Sequence, residues 1–131
     1  MKTYKFKNGP IEQYSWGKYV IAGKTHKENG KIVGVGKDIC IIGDDVSSWK
    51  ERVGHQLNPM MISGVYGKKI KILIIGIGAE KALKCPKKVI KEIHENGIKK
   101  VILLATPKAC NKYNELYSKG KKVALLAHGT C

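Results

Sequence analysis

The clearest feature of the hydrophobic pattern is an unbroken apolar run at residues 72–76, which is rich in β-branched side chains. Apolar residues without polar alternation are typical of a strand that is covered on both faces. Gly76 and Gly78 close the run and indicate a tight exit from the sheet. We therefore predict that this strand, which contains Leu73, forms the middle of the sheet.

Helix and strand patterns alternate from this strand to residue 131. Each predicted helix begins at a proline signal and is stopped by a glycine, as expected for helix ends. The predicted elements are a helix from Pro86 to residues 96–97, an apolar strand at 100–105, a helix from residues 106–107 to Gly120, and a last strand at 123–127. This alternation favours an α/β domain.

The residues before the central strand are predicted to form short strands and turns, which make a small additional N-terminal β-sheet. Residues 13–21 alternate in polarity and are predicted to form one strand, with Trp16 and Lys18 on the same face. The other predicted features are a strand at 3–7, a return strand at 24–27, a hairpin turn at Asn29 and Gly30, a flexible segment at 33–36, an apolar strand at 39–42 and a short helix at 59–65. For residues 46–57, a turn of helix and an irregular edge are both open.

Length and composition indicate one soluble domain over residues 1–131. A chain of 131 residues with 43% hydrophobic and 27% charged residues is ordinary for a globular protein. It contains no apolar run of the roughly 18–20 residues that cross a bilayer, and no apolar signal segment follows the first residues. We therefore expect a cytoplasmic protein with no membrane association.

The formal net charge of +15 is the unusual feature of the composition. It comes almost wholly from lysine, because Arg52 is the only arginine. A positive field of this kind favours acidic partners or nucleic acid and accelerates their encounter. The bidentate contacts to bases and phosphates that arginine provides are nearly absent, so nucleic-acid binding is a secondary hypothesis.

The four cysteines give no metal-binding pattern, because none of them is paired at Cys-x-x-Cys spacing. They are Cys40, Cys85, Cys110 and Cys131. Three of them lie in apolar or amphipathic segments, where a thiol usually behaves as a small buried hydrophobe. We predict no metal, no cofactor and reduced thiols.

Several short motifs occur in the order in which one known family has them. They are Tyr14-Ser15-Trp16-Gly17-Lys18, Asp38-Ile39, Trp49 with Gly54-His55 and Leu57, Ile74-Ile75-Gly76-Ile77-Gly78, Cys85-Pro86, Thr106-Pro107 with Ala109, Tyr113-Asn114, Gly120-Lys121-Lys122-Val123-Ala124, and His128 with Thr130-Cys131. With this combination, residues 12–131 resemble a small uncharacterised α/β domain family. It includes the adipogenesis-associated domain-containing protein and, more remotely, the third assembly factor of mitochondrial complex I.

The resemblance implies a single-domain, three-layer α/β fold with a mixed central sheet flanked by helices and a small extra sheet. It implies no established enzyme activity. The sequence departs from the family pattern at residues 28–37, which look like an insertion, and at residues 64–71, which are richer in glycine and lysine.

Gly76 and Gly78 follow a strand at its carboxyl end, where α/β sheets often bind ligands. Backbone N–H groups there could hold an anion, and Lys81 and Lys84 could neutralise it. Thr106 begins a helix at the same sheet edge if the two strands are parallel. A small-anion site and a purely structural turn with a helix cap are both open, whereas a dinucleotide site is disfavoured because Lys81 replaces the third glycine.

His128 is the histidine best placed for chemistry, because it is followed by Thr130 and Cys131. A nucleophile needs a base within hydrogen-bond reach and a third group that orients the base. His128 is therefore included in the candidate ligand site, and the alternative is a hydrogen-bonded residue at the end of a strand. Only Asp44 and Asp45 form a close acidic pair, so carboxylate catalysis is not predicted and no catalytic residue is assigned.

Ser15, Trp16 and Lys18 combine an aromatic ring and a lysine in one segment, which suits stacking against a partner. Trp49 and His55 are added to this candidate interaction surface. The alternative for Trp16 is a plug between the small sheet and the core. Because catalytic groups are few, the leading hypothesis is a non-catalytic interaction or assembly module with an unknown protein partner. A small-anion-binding protein or enzyme and a non-specific nucleic-acid-binding protein are the alternatives.

Overall fold

The computed structural model describes residues 2–27 and 38–131, which form two sheets and three α-helices. The strands are β1 (Tyr4–Lys5), β2 (Ile11–Ser15), β3 (Lys18–Ile21), β4 (Lys24–Lys27), β5 (Asp38–Ile42), β6 (Asp45–Ser48), β7 (Ile72–Gly76), β8 (Lys100–Leu104) and β9 (Val123–His128). The helices are α1 (Pro59–Ile62), which continues as a 3-10 turn over Ser63–Val65, α2 (Lys87–Glu95) and α3 (Thr106–Ser118).

The large sheet is mixed and has the strand order β6-β5-β9-β7-β8. β7 is parallel to both β8 and β9, as expected for strands joined by helical crossovers, whereas β5 pairs with β9 in the antiparallel direction. β7 is an interior strand with Leu73 fully buried, but the middle strand is β9, whose six residues are all buried. The prediction that β7 is the middle strand was wrong. An apolar run is typical of every interior strand, so it does not show which of two interior strands lies in the middle of the sheet.

Two apolar clusters cover the two faces of the large sheet, which gives the α/β architecture that the sequence predicted. On one face, α1 and α2 pack on the sheet, with Val89 and Ile93 of α2 fully buried. On the other face, α3 packs on the sheet through Ala109 and Tyr113, and the small sheet covers the same cluster through Ile11. Leu73 and Ile74 illustrate how the two faces are separated. They are neighbours on one strand, so their side chains point to opposite faces and belong to different clusters.

The small sheet is antiparallel, with the order β1-β2-β3-β4. The single strand predicted over residues 13–21 is two strands, β2 and β3, joined by a two-residue turn at Trp16 and Gly17. Gly17 has a φ of +71°, which a tight hairpin turn requires and which glycine adopts without steric cost. The alternating pattern continued across the turn and concealed it.

Other predicted segments have mixed outcomes. The short helix after Asn58 is present as α1, and the Asn58 side chain accepts a hydrogen bond from Met61 N at 3.1 Å, which caps it. Residues 45–48 form strand β6, so the helical turn considered for this region was wrong. The hairpin turn at Asn29 and Gly30, the flexible segment at 33–36 and the insertion at 28–37 lie outside the described residues.

The small sheet is fastened to the rest of the fold by the side chain of Asn114 in α3. Its Oδ1 accepts from Ile11 N at 3.1 Å, and its Nδ2 donates to Ile11 O at 2.7 Å. A Cβ atom on Gly9 would lie 2.3 Å from the Asn114 side chain, so only glycine fits there. Among residues 2–27 and 38–131, no helix has the length and apolar character needed to cross a membrane.

Candidate functional site

The first candidate site is the corner where the chain leaves β9 and packs on the turn after β7. Thr130 O accepts a hydrogen bond from Ala79 N at 2.7 Å, and Cys131 O accepts from Glu80 N and Ala82 N, each at 3.0 Å. These bonds lay residues 129–131 along the segment that follows β7. We call the cluster of Asp38, Arg52, His55, His128 and Cys131 at this place the β9 corner.

Gly78 and Thr106 tie the β9 corner to the start of α3. The Thr106 hydroxyl donates to His128 O at 2.6 Å and accepts from Gly78 N at 3.0 Å. Gly76 lies close beneath them, since a Cβ there would be 3.1 Å from Thr106 Oγ1. Because β7 and β8 are parallel, Thr106 does lie at the same sheet edge as the two glycines.

These contacts use the backbone donors on which the small-anion hypothesis depends. The N–H groups of Gly78, Ala79 and Glu80 are each engaged by an oxygen of the chain itself. Lys81 and Lys84 have exposed side chains, and their own backbone N–H groups bond to Gly78 O and His55 O. The turn therefore binds residues 129–131. The backbone N–H groups just named are all engaged, so none of them is free to bind an anion.

A buried hydrogen bond to Asp38 holds His128 in one orientation. His128 Nδ1 lies 2.7 Å from Asp38 Oδ1, which also accepts from Gly129 N at 3.2 Å. The other carboxylate oxygen accepts from Arg52 Nε at 2.7 Å. Burial raises the pKa of Asp38, but the hydrogen bonds from His128 and Arg52 outweigh burial and hold this pKa below its ordinary value. Asp38 is therefore the ionised partner that orients the imidazole.

The thiol of Cys131 lies between two imidazole rings. Its Sγ is 3.4 Å from His55 Nε2 and 3.6 Å from His128 Nε2. The Thr130 hydroxyl is 3.3 Å from His128 Nε2 and 4.0 Å from the sulfur. His128 is buried, His55 is exposed and Cys131 is partly exposed, so the cluster opens to solvent on the His55 side.

The predicted interaction surface is divided between surface and core. Ser15, Trp16 and Lys18 lie at the tip of the β2–β3 hairpin, and Trp16 is 42% exposed, which contradicts its interpretation as a plug. Gly17 in this tip donates to Gly129 O at 2.7 Å, so the hairpin adjoins the β9 corner. The assignment of Trp49 to the surface was wrong, because its side chain is buried and only 2% exposed.

The reason for the burial of Trp49 is its packing in the core. Its indole Nε1 donates to Met61 O at 2.8 Å, and its ring belongs to the cluster under α1 and α2. A buried indole needs such a partner for its N–H group. Of the interaction residues predicted from sequence, His55 alone has its side chain in the β9 corner.

The second candidate site is a groove of about 690 Å³ between β1, β8 and α3, which we call the β8 groove. Its apolar wall continues the core cluster on the α3 face of the sheet. The apolar lining residues are Tyr4, Phe6, Ile102, Leu104 and Pro107, and the lysines that line it are Lys5, Lys108 and Lys112.

Among residues 2–27 and 38–131, β8 pairs only with β7, so the β8 groove runs beside an edge of the large sheet that none of these residues pairs with. Lys100 N donates to Lys71 O, and Leu104 O accepts from Ile77 N, so alternate residues of β8 face β7. The backbone groups of Val101 and Leu103 therefore face the open edge. An exposed edge of this kind is a ready template for another strand.

A comparison of the sequence with known families places residues 11–128 in a family described as "Protein of unknown function (DUF498/DUF598)". The chain belongs to this family. The matched residues of the DUF498/DUF598 domain include Asp38, His55 and His128, and Cys131 lies just beyond them.

Solved structures share the fold. A conserved hypothetical protein from Pyrococcus horikoshii OT3 has a TM-score of 0.76 and 22% identity, covering 92% of this chain and 98% of its own. An outer membrane protein from Bartonella henselae has a TM-score of 0.74 and 22% identity, covering 95% and 97%. A Bordetella pertussis protein described as a Mth938-like domain has a TM-score of 0.62 and 14% identity, covering 92% and 85%. At these identities the likeness establishes the fold alone.

Sequence reasoning missed Asp38 and Arg52 as parts of the β9 corner. A signal for Asp38 was present, because a carboxylate at the start of a fully apolar strand needs a charged or hydrogen-bonding partner. The partner itself is set by the antiparallel register that places Asp38 opposite His128. The local sequence pattern of this DUF498/DUF598 domain does not show which strands pair, so it could not identify His128 as the partner of Asp38.

Proposed function

We propose that this DUF498/DUF598 protein is a non-catalytic interaction module that binds an acidic, extended segment of a partner protein along the β8 groove. The observation that carries the proposal is the combination of an unpaired strand edge with an apolar groove lined by lysines. The finer resemblance to the adipogenesis-associated protein and the complex I assembly factor supports an assembly role within the same proposal.

An added strand would satisfy the outward backbone groups of Val101 and Leu103. Its alternate side chains would point to the α3 side, where Ile102 and Leu104 offer apolar contacts. Main-chain hydrogen bonds give affinity in this mode of recognition, and the pockets for alternate side chains give specificity.

The positive charge of the lysines in the β8 groove favours a partner segment that contains acidic residues. Lys5, Lys108 and Lys112 line the β8 groove, and the whole chain carries a formal net charge of +15. Lys112 is already paired with Glu115 at 2.9 Å, so Lys5 and Lys108 are the cations with more freedom to meet a new carboxylate. Acidic residues on a partner strand complement this lining and increase the rate of encounter.

The test is fluorescence anisotropy with a labelled peptide that repeats Val-Thr-Glu-Thr, so that valine and glutamate occupy alternate positions and face the groove together. We expect Lys5→Glu/Lys108→Glu to weaken binding about tenfold, which corresponds to about 1.4 kcal/mol. The matched control is Lys87→Glu/Lys88→Glu at the start of α2, which makes the same change in net charge on another layer of the fold. The control is expected to weaken binding less than about threefold.

The same titration separates the alternatives. Equal weakening by both double variants would contradict the β8 groove and favour a diffuse electrostatic field. A labelled single-stranded oligonucleotide that binds more tightly than the peptide, with a steep loss of affinity on raising salt, would favour the nucleic-acid alternative. A phosphate titration that displaces the peptide would favour the small-anion alternative.

A further inference from the structure

We infer that His55, His128 and Cys131 form a three-ligand site for a divalent transition-metal ion of the zinc class, with the fourth position open. This site is separate from the β8 groove and does not depend on the proposed interaction function. The sequence predicted no metal, because no cysteine is paired at Cys-x-x-Cys spacing and His55 lies far along the chain from His128 and Cys131.

The two sulfur–nitrogen distances fit tetrahedral coordination. Zinc binds sulfur at about 2.3 Å and imidazole nitrogen at about 2.0–2.1 Å, so a tetrahedral angle places nitrogen and sulfur about 3.5 Å apart. The observed distances from Cys131 Sγ are 3.4 Å to His55 Nε2 and 3.6 Å to His128 Nε2. All three donor atoms lie within 4.8 Å of one another, so one ion can reach them with small side-chain adjustments.

His128 has the outer contact that metal-binding histidines usually have. Its Nδ1 is engaged by Asp38 Oδ1, which leaves Nε2 directed at the cysteine. Arg52 and Gly129 N hold the carboxylate from behind, so the ring cannot easily rotate. A carboxylate on the far nitrogen fixes the tautomer and increases the basicity of the ligating nitrogen.

One short segment of backbone positions the other two ligands. Cys131 O is held by the N–H groups of Glu80 and Ala82, and His55 O accepts from Lys84 N at 2.7 Å. The backbone carbonyls of both ligand residues are therefore attached to the same stretch, 80–84. This arrangement reduces the ordering cost of bringing His55 and Cys131 to one ion.

The donor set selects the class of metal. Two imidazoles and one thiolate suit zinc, cobalt or copper, whereas magnesium and calcium prefer oxygen ligands. The Thr130 hydroxyl, 3.3 Å from His128 Nε2, would turn aside when an ion takes that nitrogen. Three protein ligands leave a fourth position for water or another ligand on the exposed His55 side.

A nucleophilic thiol is the competing interpretation, since Asp38, His128 and Cys131 are arranged as orienting acid, base and nucleophile. A nucleophilic thiol needs only one imidazole within hydrogen-bond distance of the sulfur, to act as its base. The second imidazole, from His55, is the closer of the two and has no part in it. The convergence of both nitrogens on one sulfur therefore favours metal binding.

The test is a Co²⁺ titration of the full chain after treatment with a chelator and a reductant. We expect one Co²⁺ per chain, with the visible bands of tetrahedral cobalt and a thiolate-to-cobalt charge-transfer band. His55→Ala and Cys131→Ser are expected to weaken binding at least about tenfold, and Asp38→Asn about 10-fold to 100-fold. The matched controls are His94→Ala in α2 and Cys85→Ser, which should leave binding unchanged.

Circular dichroism of each variant shows whether it folds, and His55→Ala keeps the test open if Asp38→Asn does not fold, because His55 is exposed. Absence of the charge-transfer band in the wild type would overturn the inference. Equal weakening by the control variants would overturn it too. Two results together would establish the thiol–imidazole pair instead. They are unchanged Co²⁺ binding by His55→Ala, and a rate of Cys131 alkylation that falls when His128 is replaced.

Discussion

A Cβ atom on Gly78 would lie 2.4 Å from the backbone carbonyl carbon of Cys131. Gly78 also has a φ of +103°, which side-chain-bearing residues rarely adopt. Glycine is thus required at this position for two reasons, the positive φ of the turn and the close approach of Cys131. Residues 129–131 and the turn after β7 therefore pack directly against each other.

Gly78→Ala is expected to destabilise the fold more than the same change at another glycine. Gly97 is the matched control, since it also has a positive φ, of +89°, but no atom of the described residues lies within 4 Å of a Cβ there. The control carries the backbone cost alone, about 1 kcal/mol. Gly78→Ala adds a steric conflict with backbone atoms, so we expect about 2–4 kcal/mol from urea unfolding. Equal losses would show that the contact with Cys131 has no energetic role.

Thr106→Val is expected to destabilise the β9 corner through lost hydrogen bonds. Valine has nearly the same shape as threonine, but it leaves the buried carbonyl of His128 and the N–H of Gly78 without their hydroxyl partner. Unsatisfied buried groups of this kind cost about 1–3 kcal/mol each. Urea unfolding measures the change, and Thr106→Ser, which keeps the hydroxyl, should recover most of it. A Thr106→Val variant as stable as the wild type would contradict this role.

The second half of the fold was largely predictable from sequence, because its elements carry strong local signals. α2 and α3 have proline at or next to their first turn and glycine after their ends, and β7, β8 and β9 are apolar runs between them. Each of these signals acts within a few residues. The α/β class and the parallel pairing of β7 with β8 follow from helical crossovers.

The β9 corner could not be predicted in the same way, because it depends on pairing between distant segments. His128 meets Asp38 only because β9 inserts between β5 and β7. The position of His55 depends on a backbone bond from Lys84, in a loop with no regular pattern. Local spacing contains neither fact, and the sequence therefore placed His55 with Trp16 on an interaction surface and missed its position beside Cys131.

In the metal-free protein, Cys131 is expected to react with iodoacetamide before the other cysteines. It is partly exposed and contacts two imidazole nitrogens, whereas Cys110 is fully buried in α3. Burial raises the pKa of the Cys110 thiol, so the reactive thiolate is scarce as well as inaccessible. Pulse labelling with mass spectrometry should find Cys131 modified first and Cys110 last, with the difference lost in urea. Labelling of Cys110 at the same rate in the folded protein would contradict the packing of α3.

His26 is expected to make the stability of the protein decrease as the pH falls below neutrality. Burial of the imidazole, with a smaller contribution from Lys24, lowers the pKa of His26 from its ordinary value. The unfolded chain therefore takes up the proton first, at an ordinary pKa of about 6.5. Stability is complete above that value and is lost as the pH falls from it towards the lowered pKa of the folded state.

The measurement for His26 is the urea midpoint from about pH 7.5 to about pH 5.5, a range that spans the ordinary histidine pKa. His26→Phe removes the titrating group and keeps an aromatic ring opposite Tyr19 in the β3–β4 pair, so its midpoint should fall less than that of the wild type. His94→Gln is the control, because His94 is exposed on α2 and its replacement leaves the contribution of His26 in place. Parallel pH profiles for the wild type and His26→Phe would show that His26 is as easily protonated in the folded chain as in the unfolded one, and that the small sheet does not exclude water from it.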